Sequence, residues 1–105
     1  MTGKTKFVLD VKKPSRVFLL HNARIGGGYV EFKIEGEDGE ILDEYKLIED
    51  SFVKRDYDLS EGKYYCTIIR DIKNNNEKFR FYYDRRFILQ EYIVKDTNSS
   101  NTRSN

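Results

Sequence analysis

The side chains able to do covalent or metal chemistry are few, and they stand apart. The chain has one cysteine, Cys66, and one histidine, His21. A single thiol closes no internal disulfide. Cys66 lies in Lys63-Tyr-Tyr-Cys-Thr-Ile-Ile-Arg70, where strand phase makes it buried and inert, without the exposed, electropositive setting that activates a thiolate. It could use His21 as a base only if the second and sixth strands met in the right phase. His21 has no partner at metal-ligand spacing and reads as a hydrogen-bonded histidine at a strand end. From Glu35 to Asp50 eight carboxylates face the single Lys46, but their spacing is not that of a twelve-residue calcium loop, so the stretch reads as a solvated hairpin. Gly26-Gly-Gly28 is followed by no Lys-Ser/Thr pair and no helix start, so it is no phosphate cradle. Nothing here amounts to a catalytic, metal or cofactor motif, and the chain reads as a non-enzyme with no cofactor.

The sharper pattern is physical. Arg70 and the run Lys78-Phe-Arg-Phe-Tyr-Tyr-Asp-Arg-Arg-Phe87 interleave cations with aromatic rings, the combination that holds single-stranded nucleic acid by phosphate contact and base stacking. Strand alternation places Phe79, Phe81 and Tyr83 on one face and Arg80 and Tyr82 on the other, and assigns the first set to a core. The run also lacks the glycines of a ribonucleoprotein motif. Two readings of function stand: an interaction or structural module, and, as the alternative, a single-stranded nucleic-acid-binding or phage-type accessory protein using the 70–87 face. The candidate partner contacts are Arg24, Tyr29, Arg70, Arg80, Tyr82, Arg85 and Arg86. A protein partner would engage a sheet edge or the loops.

These residues need a scaffold, and the patterning supplies one. At 105 residues the chain is one domain's worth. Charged residues make up 35% of it and nearly cancel, to a formal +1, which argues against a dedicated polyanion binder while leaving local basic patches open. Eight tyrosines and seven phenylalanines supply large apolar area to a small core. No apolar run reaches the roughly 20 residues of a membrane span, and Met1-Thr-Gly-Lys4 lacks a signal-peptide core.

Short alternating blocks predict strands at Lys6–Val11, Arg16–Asn22, Tyr29–Glu35, Glu40–Leu47, Phe52–Leu59, from Lys63 onward, Glu77–Tyr83 and Phe87–Val94. Asp38-Gly39 signals a hairpin, the three glycines before Tyr29 allow positive φ, and Pro14 marks a boundary. The second strand and the strand after Lys63 are apolar on both faces, which predicts interior positions covered on both sides. Residues 1–5 read as an arm, 6–94 as the domain, and 95–105, with nothing apolar to bury, as a disordered tail. The fold class is all-β: an Ig-like antiparallel β-sandwich of seven or eight short strands with turns every eight to twelve residues.

The stretch Asp58-Leu-Ser-Glu-Gly-Lys-Tyr-Tyr-Cys66 is similar to the tyrosine corner of immunoglobulin-like sandwiches, with Tyr64 returning its hydroxyl to upstream backbone. With no second Cys and no Trp, a disulfide-bonded antibody-type domain is excluded. More broadly, Phe7-Val-Leu-Asp-Val11, Tyr29-Val-Glu-Phe-Lys-Ile-Glu-Gly-Glu-Asp-Gly-Glu-Ile-Leu42 and Phe52-Val-Lys-Arg-Asp-Tyr-Asp-Leu-Ser-Glu-Gly-Lys-Tyr-Tyr65 resemble the small exported β-sandwich proteins and secretion-system C-terminal sorting-type domains of Bacteroidetes, across roughly residues 6 to 94. The resemblance implies export, a periplasmic or extracellular setting once a leader is removed, and a non-enzymatic role; without a leader the setting would be cytoplasmic.

Overall fold

A computed structural model describes residues 2–72, 76–84 and 86–95, with side chains left aside at Thr2, Ile72, Val94 and Lys95. Among these residues eight strands form and no helix does: β1 (Thr2–Val11), β2 (Ser15–Arg24), β3 (Gly28–Glu35), β4 (Ile41–Leu47), β5 (Ser51–Leu59), β6 (Gly62–Ile72), β7 (Asn76–Tyr83) and β8 (Phe87–Lys95). With no helix, none of the described residues forms one long and apolar enough to cross a membrane. Two four-stranded antiparallel sheets result, ordered β1-β6-β3-β4 and β5-β2-β7-β8. Three pairings are nested: β3 with β4, β2 with β5 around it, and β1 with β6 outermost. The first six strands are thus one long hairpin rolled into two layers, and β7–β8 is a second hairpin laid against β2.

The strand positions follow the sequence closely at their centres and run longer at their ends. β1 begins at Thr2, inside the stretch that reads as an arm, and pairs from Thr2↔Asp71 to Val11↔Gly62. Ladder hydrogen bonds come from the backbone, so Thr2 to Thr5 join the sheet without an apolar pattern to announce it. β7 begins at Asn76, one residue before the predicted start; residues 73–75 and the tail from Asp96 lie outside the described residues. The predicted hairpin forms: Gly36 N–H donates to Glu40 O at 2.9 Å, Asp38 Oδ1 accepts from Glu40 N–H at 3.0 Å, and Gly39 takes φ 85°, a conformation that favours glycine.

Between the sheets the inward phase of each strand meets. Leu9, Val17, Leu19, Phe32, Ile34, Ile68, Phe79 and Phe81 are fully buried, each large side chain contributing about 1.5–3 kcal/mol by leaving water. The two sides of the sandwich close differently. On one, Phe7 of β1 stacks on Tyr92 of β8 with ring centroids 4.4 Å apart. On the other, the Asp43 carboxylate of β4 accepts from Tyr57 Oη at 2.9 Å and Arg55 Nε at 3.2 Å of β5.

Tyr64 does what its position in the turn implies. Its ring is buried and its hydroxyl donates to the Ser60 carbonyl at 2.8 Å, tying β6 back to the turn from β5. As predicted, β6 is an inner strand, between β1 and β3. The expected double cover is absent. The described residues form only two layers, and the outer face of β6 is open among them: Tyr65 is exposed and Ile69 half-buried. Thr67 is buried there, between the β-ladder neighbours Lys6 and Lys33, whose long apolar stems can cover it.

Candidate functional site

The same two-layer geometry exposes the outer face of β2, and a surface follows from it. Alternation and register put Arg16, Phe18, Leu20, Asn22 and Arg24 outward on β2. Beside them lie Asp58, Asp56, Lys54 and Phe52 on β5, and Tyr82, Arg80 and Lys78 on β7. Phe18 stands between Asp56 and Tyr82, Leu20 between Lys54 and Arg80, and Asn22 between Phe52 and Lys78. Neighbouring strands lie about 4.8 Å apart, so this is a dense platform. Phe52 is 57% exposed, and Ile88 and Ile93 of β8 extend the apolar area at 59% and 46%. A shallow groove of about 770 Å³ runs over the platform, walled by Phe18, Leu20, Phe52, Lys54, Asp56 and Tyr82, within the range of ligand sites. The opposite outer face carries more charge. There Glu31 lies across from Lys46, Lys33 from Glu44, and Asp10 from Lys63, opposite charges that suit water, around one exposed pair of apolar neighbours, Val8 and Tyr65.

Ion pairs frame the groove. The Arg16 guanidinium reaches Asp58 at 3.1 Å and Asp56 at 3.4 Å, and Arg80 Nε donates to Glu91 Oε2 at 2.6 Å. The Lys54 ammonium lies 5.7 Å from the Phe52 ring centroid, a long cation–π contact.

The residues singled out in the sequence divide among four places. Arg80 and Tyr82 share the platform, with Arg24 at its end. Tyr29 sits on the other sheet, half-buried, with the Lys46 ammonium 4.7 Å over its ring. Arg86 is exposed in the β7–β8 turn beside Phe87, its guanidinium carbon 5.6 Å from that ring; Arg85 lies outside the described residues.

Arg70 is a correction: it is only 6% exposed and points into the sandwich, so the 70–87 stretch offers no single basic face. Phase explains it, since Arg70 continues the buried series Tyr64, Cys66, Ile68. Inside, it joins a polar chain that spans both sheets. Arg70 donates through Nη2 to Thr5 Oγ1 at 2.9 Å and faces the fully buried Glu77 carboxylate, Nε to Oε2, at 3.9 Å. The other Glu77 oxygen lies 2.8 Å from His21 Nε2, and His21 Nδ1 lies 2.7 Å from the Tyr45 hydroxyl. With its hydrogen on Nε2, the imidazole donates to Glu77 Oε1 and accepts from Tyr45, so both ring nitrogens are satisfied, while Glu77 Oε2 faces Arg70 Nε without a hydrogen bond. His21 is therefore partnered, as expected, but at mid-strand rather than at a strand end. It stacks on Phe79 at 3.9 Å. Burial pushes the Tyr45 hydroxyl above its ordinary range, which keeps it a donor, and pushes the Cys66 thiol up to about 12.

Arg70, Glu77 and His21 each hold a core position in a different strand, a signal the sequence contains: each shares its phase with buried apolar neighbours. The groove residues Phe18, Leu20 and Phe52 carry a weaker signal, because apolar bulk on both faces of a strand reads first as double burial.

No family model matches this chain, and no curated protein does. Among solved structures, it is similar to TmCBM61 in complex with beta-1,4-galactotriose, at 10% identity and a TM-score of 0.43, covering 89% of this chain and 62% of that one. It is also similar to the Glycosylation Associate Protein (Gap123) complex from Streptococcus agalactiae, at 14% identity and a TM-score of 0.40, covering 88% of this chain and 33% of that one. This chain thus spans less than two thirds of either neighbour, and neither likeness bears on what it binds.

Proposed function

We propose that this chain is a non-enzymatic interaction module that docks a protein partner on the outer face of the β5-β2-β7-β8 sheet. The observation that carries the reading is the groove over Phe18, Leu20, Phe52 and Tyr82, an apolar centre with a polar rim that no layer of the described residues covers. The non-enzymatic part is supported by the placement of the reactive groups: Cys66, His21 and Glu77 are sealed between the sheets and away from any cleft. A photocrosslinking amino acid at Phe52 or Tyr82 is expected to capture a discrete partner in producing cells, while the same probe at Lys33 on the charged face does not. Equal labelling from both faces refutes the reading.

A second reading, single-stranded nucleic acid, is favoured by Lys54, Lys78 and Arg80 lying among Phe18, Phe52 and Tyr82. It predicts salt-dependent retention of oligo-dT, and a flat response at low salt removes it. An extracytoplasmic setting belongs to the proposal on the strength of the Bacteroidetes resemblance alone. Recovery only in the cytoplasmic fraction of the organism that encodes it would overturn that part.

A further inference from the structure

Charge pairing on the groove face is lopsided. The acids it presents among the described residues are Asp56, Asp58 and Glu91, and an arginine engages each of them: Arg16 the first two, Arg80 the third. The cations Arg24, Lys54 and Lys78 have no acidic partner among the described residues. Their places matter. Lys54 is the β5 neighbour of Leu20 and Lys78 the β7 neighbour of Asn22, so the two lysines flank β2 diagonally, about two strand spacings apart across the sheet, with Leu20 and Asn22 between them and Phe52 beside Lys54 on β5. A partner settling on the apolar centre would cover both. Covering an ammonium without neutralising it is costly, so a productive partner must bring carboxylates to these points and apolar side chains to the middle.

Resting on the docking reading above, we propose that the partner is an acidic, apolar polypeptide segment, whose carboxylates meet Lys54 and Lys78 while its aromatic or branched side chains fill the groove over Leu20 and Phe52. A nucleic-acid strand fits less well. Its phosphates want a continuous cationic track, and here Asp56, Asp58 and Glu91 interrupt it, while Leu20 and Ile88 offer no ring to stack on.

The test uses the full chain and three probes: a synthetic peptide of Glu-Phe-Glu-Leu repeated three times, its counterpart with Lys in place of Glu, and oligo-dT. Binding is read by fluorescence anisotropy at two salt concentrations, with circular dichroism confirming that each variant is folded. The acidic peptide is expected to bind at least tenfold more tightly than the lysine peptide and to weaken with salt. Lys54→Glu with Lys78→Glu should reduce its binding at least tenfold, and Phe52→Ala should reduce binding of either peptide. Equal or tighter binding of the lysine peptide, or indifference of the acidic one to the double charge reversal, overturns the acidic partner while leaving the docking face standing if Phe52→Ala still weakens binding. Tighter binding of oligo-dT, lost on charge reversal, overturns it in favour of nucleic acid. If neither peptide binds, or Phe52→Ala changes nothing, the docking face fails with it.

Discussion

Replacing Glu77 by leucine leaves the Arg70 guanidinium in the core, 6% exposed, with its counter-charge gone and its hydrogen bond to the Thr5 hydroxyl remaining. It also strips His21 Nε2 of the oxygen 2.8 Å away. Removing one member of a buried ion pair costs about 3–5 kcal/mol, a large share of the roughly 5–15 kcal/mol that holds a domain of this size together. Arg70→Met should cost as much from the other side, because Glu77, fully buried, then keeps a carboxylate that only His21 can address. The double variant removes both charges. Its loss should fall well below the sum of the two singles, by about 2–3 kcal/mol, since the uncompensated charge that dominates each single no longer exists. The pair meets at 3.9 Å without a hydrogen bond, so little direct bonding is given up, and an apolar pair of similar volume can be tolerated. Urea unfolding of the four proteins, with a common slope, gives the cycle directly. Strict additivity of the two single losses would refute the claim that Arg70 and Glu77 compensate one another across the sandwich.

Four further outcomes follow. Tyr64→Phe removes the bond to the Ser60 carbonyl and should lower stability by about 1 kcal/mol, read from the urea midpoint; no shift would mean the corner is idle. Asp43→Ala removes the acceptor of both Tyr57 and Arg55 and should cost about 1–2 kcal/mol while raising hydrogen exchange along β4 and β5. Exchange unchanged there would show that this side of the sandwich holds without it. With the Cys66 thiol pushed up to about 12 and ordinary thiols ionising near 8.5, the unfolded chain binds fewer protons than the native one between these values. Stability is therefore full below about pH 8.5 and falls as pH rises, by up to about 1.4 kcal/mol per pH unit. Cys66→Ala should flatten the limb between about pH 8.5 and 10, below the range where tyrosines of the unfolded chain begin to titrate and the buried Tyr45 and Tyr57 add the same slope; an unchanged slope in that window would assign it elsewhere. By the same burial, Ellman's reagent should fail to label the native protein at pH 8 and label it fully in urea.

What the sequence disclosed was whatever depends on neighbours along the chain. Val30, Phe32 and Ile34 alternate with charged residues and could only be a half-buried strand; Asp38-Gly39 joined it to its hairpin partner; the turn before Tyr64 foretold the hydroxyl's return. Which distant strand meets which was not legible, because β1 finds β6 through backbone bonds that carry no residue code. The site was half legible for a related reason. Arg80 and Tyr82 lie outward in the alternation of β7, but Phe18 and Leu20 looked like buried side chains, and only the absence of a third layer turns them into surface. Arg70 was misplaced by reading charge before phase. Three polar side chains in core phase, His21, Arg70 and Glu77, were the available warning.

The nesting of the strand pairs bears on how the protein comes into being. None of β1, β2 and β3 pairs with another of the three; along the chain their first ladder partners are β6, β5 and β4 respectively. During synthesis the leading three strands must therefore wait, unpaired, until β4 emerges. The tight β3–β4 connection then closes on a microsecond scale, and each closure shortens the span that the next pair must bridge. Assembly should proceed like a zip from the Asp38 turn outward, with Thr2 and Asp71 joined late. The leading strands are most open to wrong partners during that wait, and a chaperone would have most to protect there.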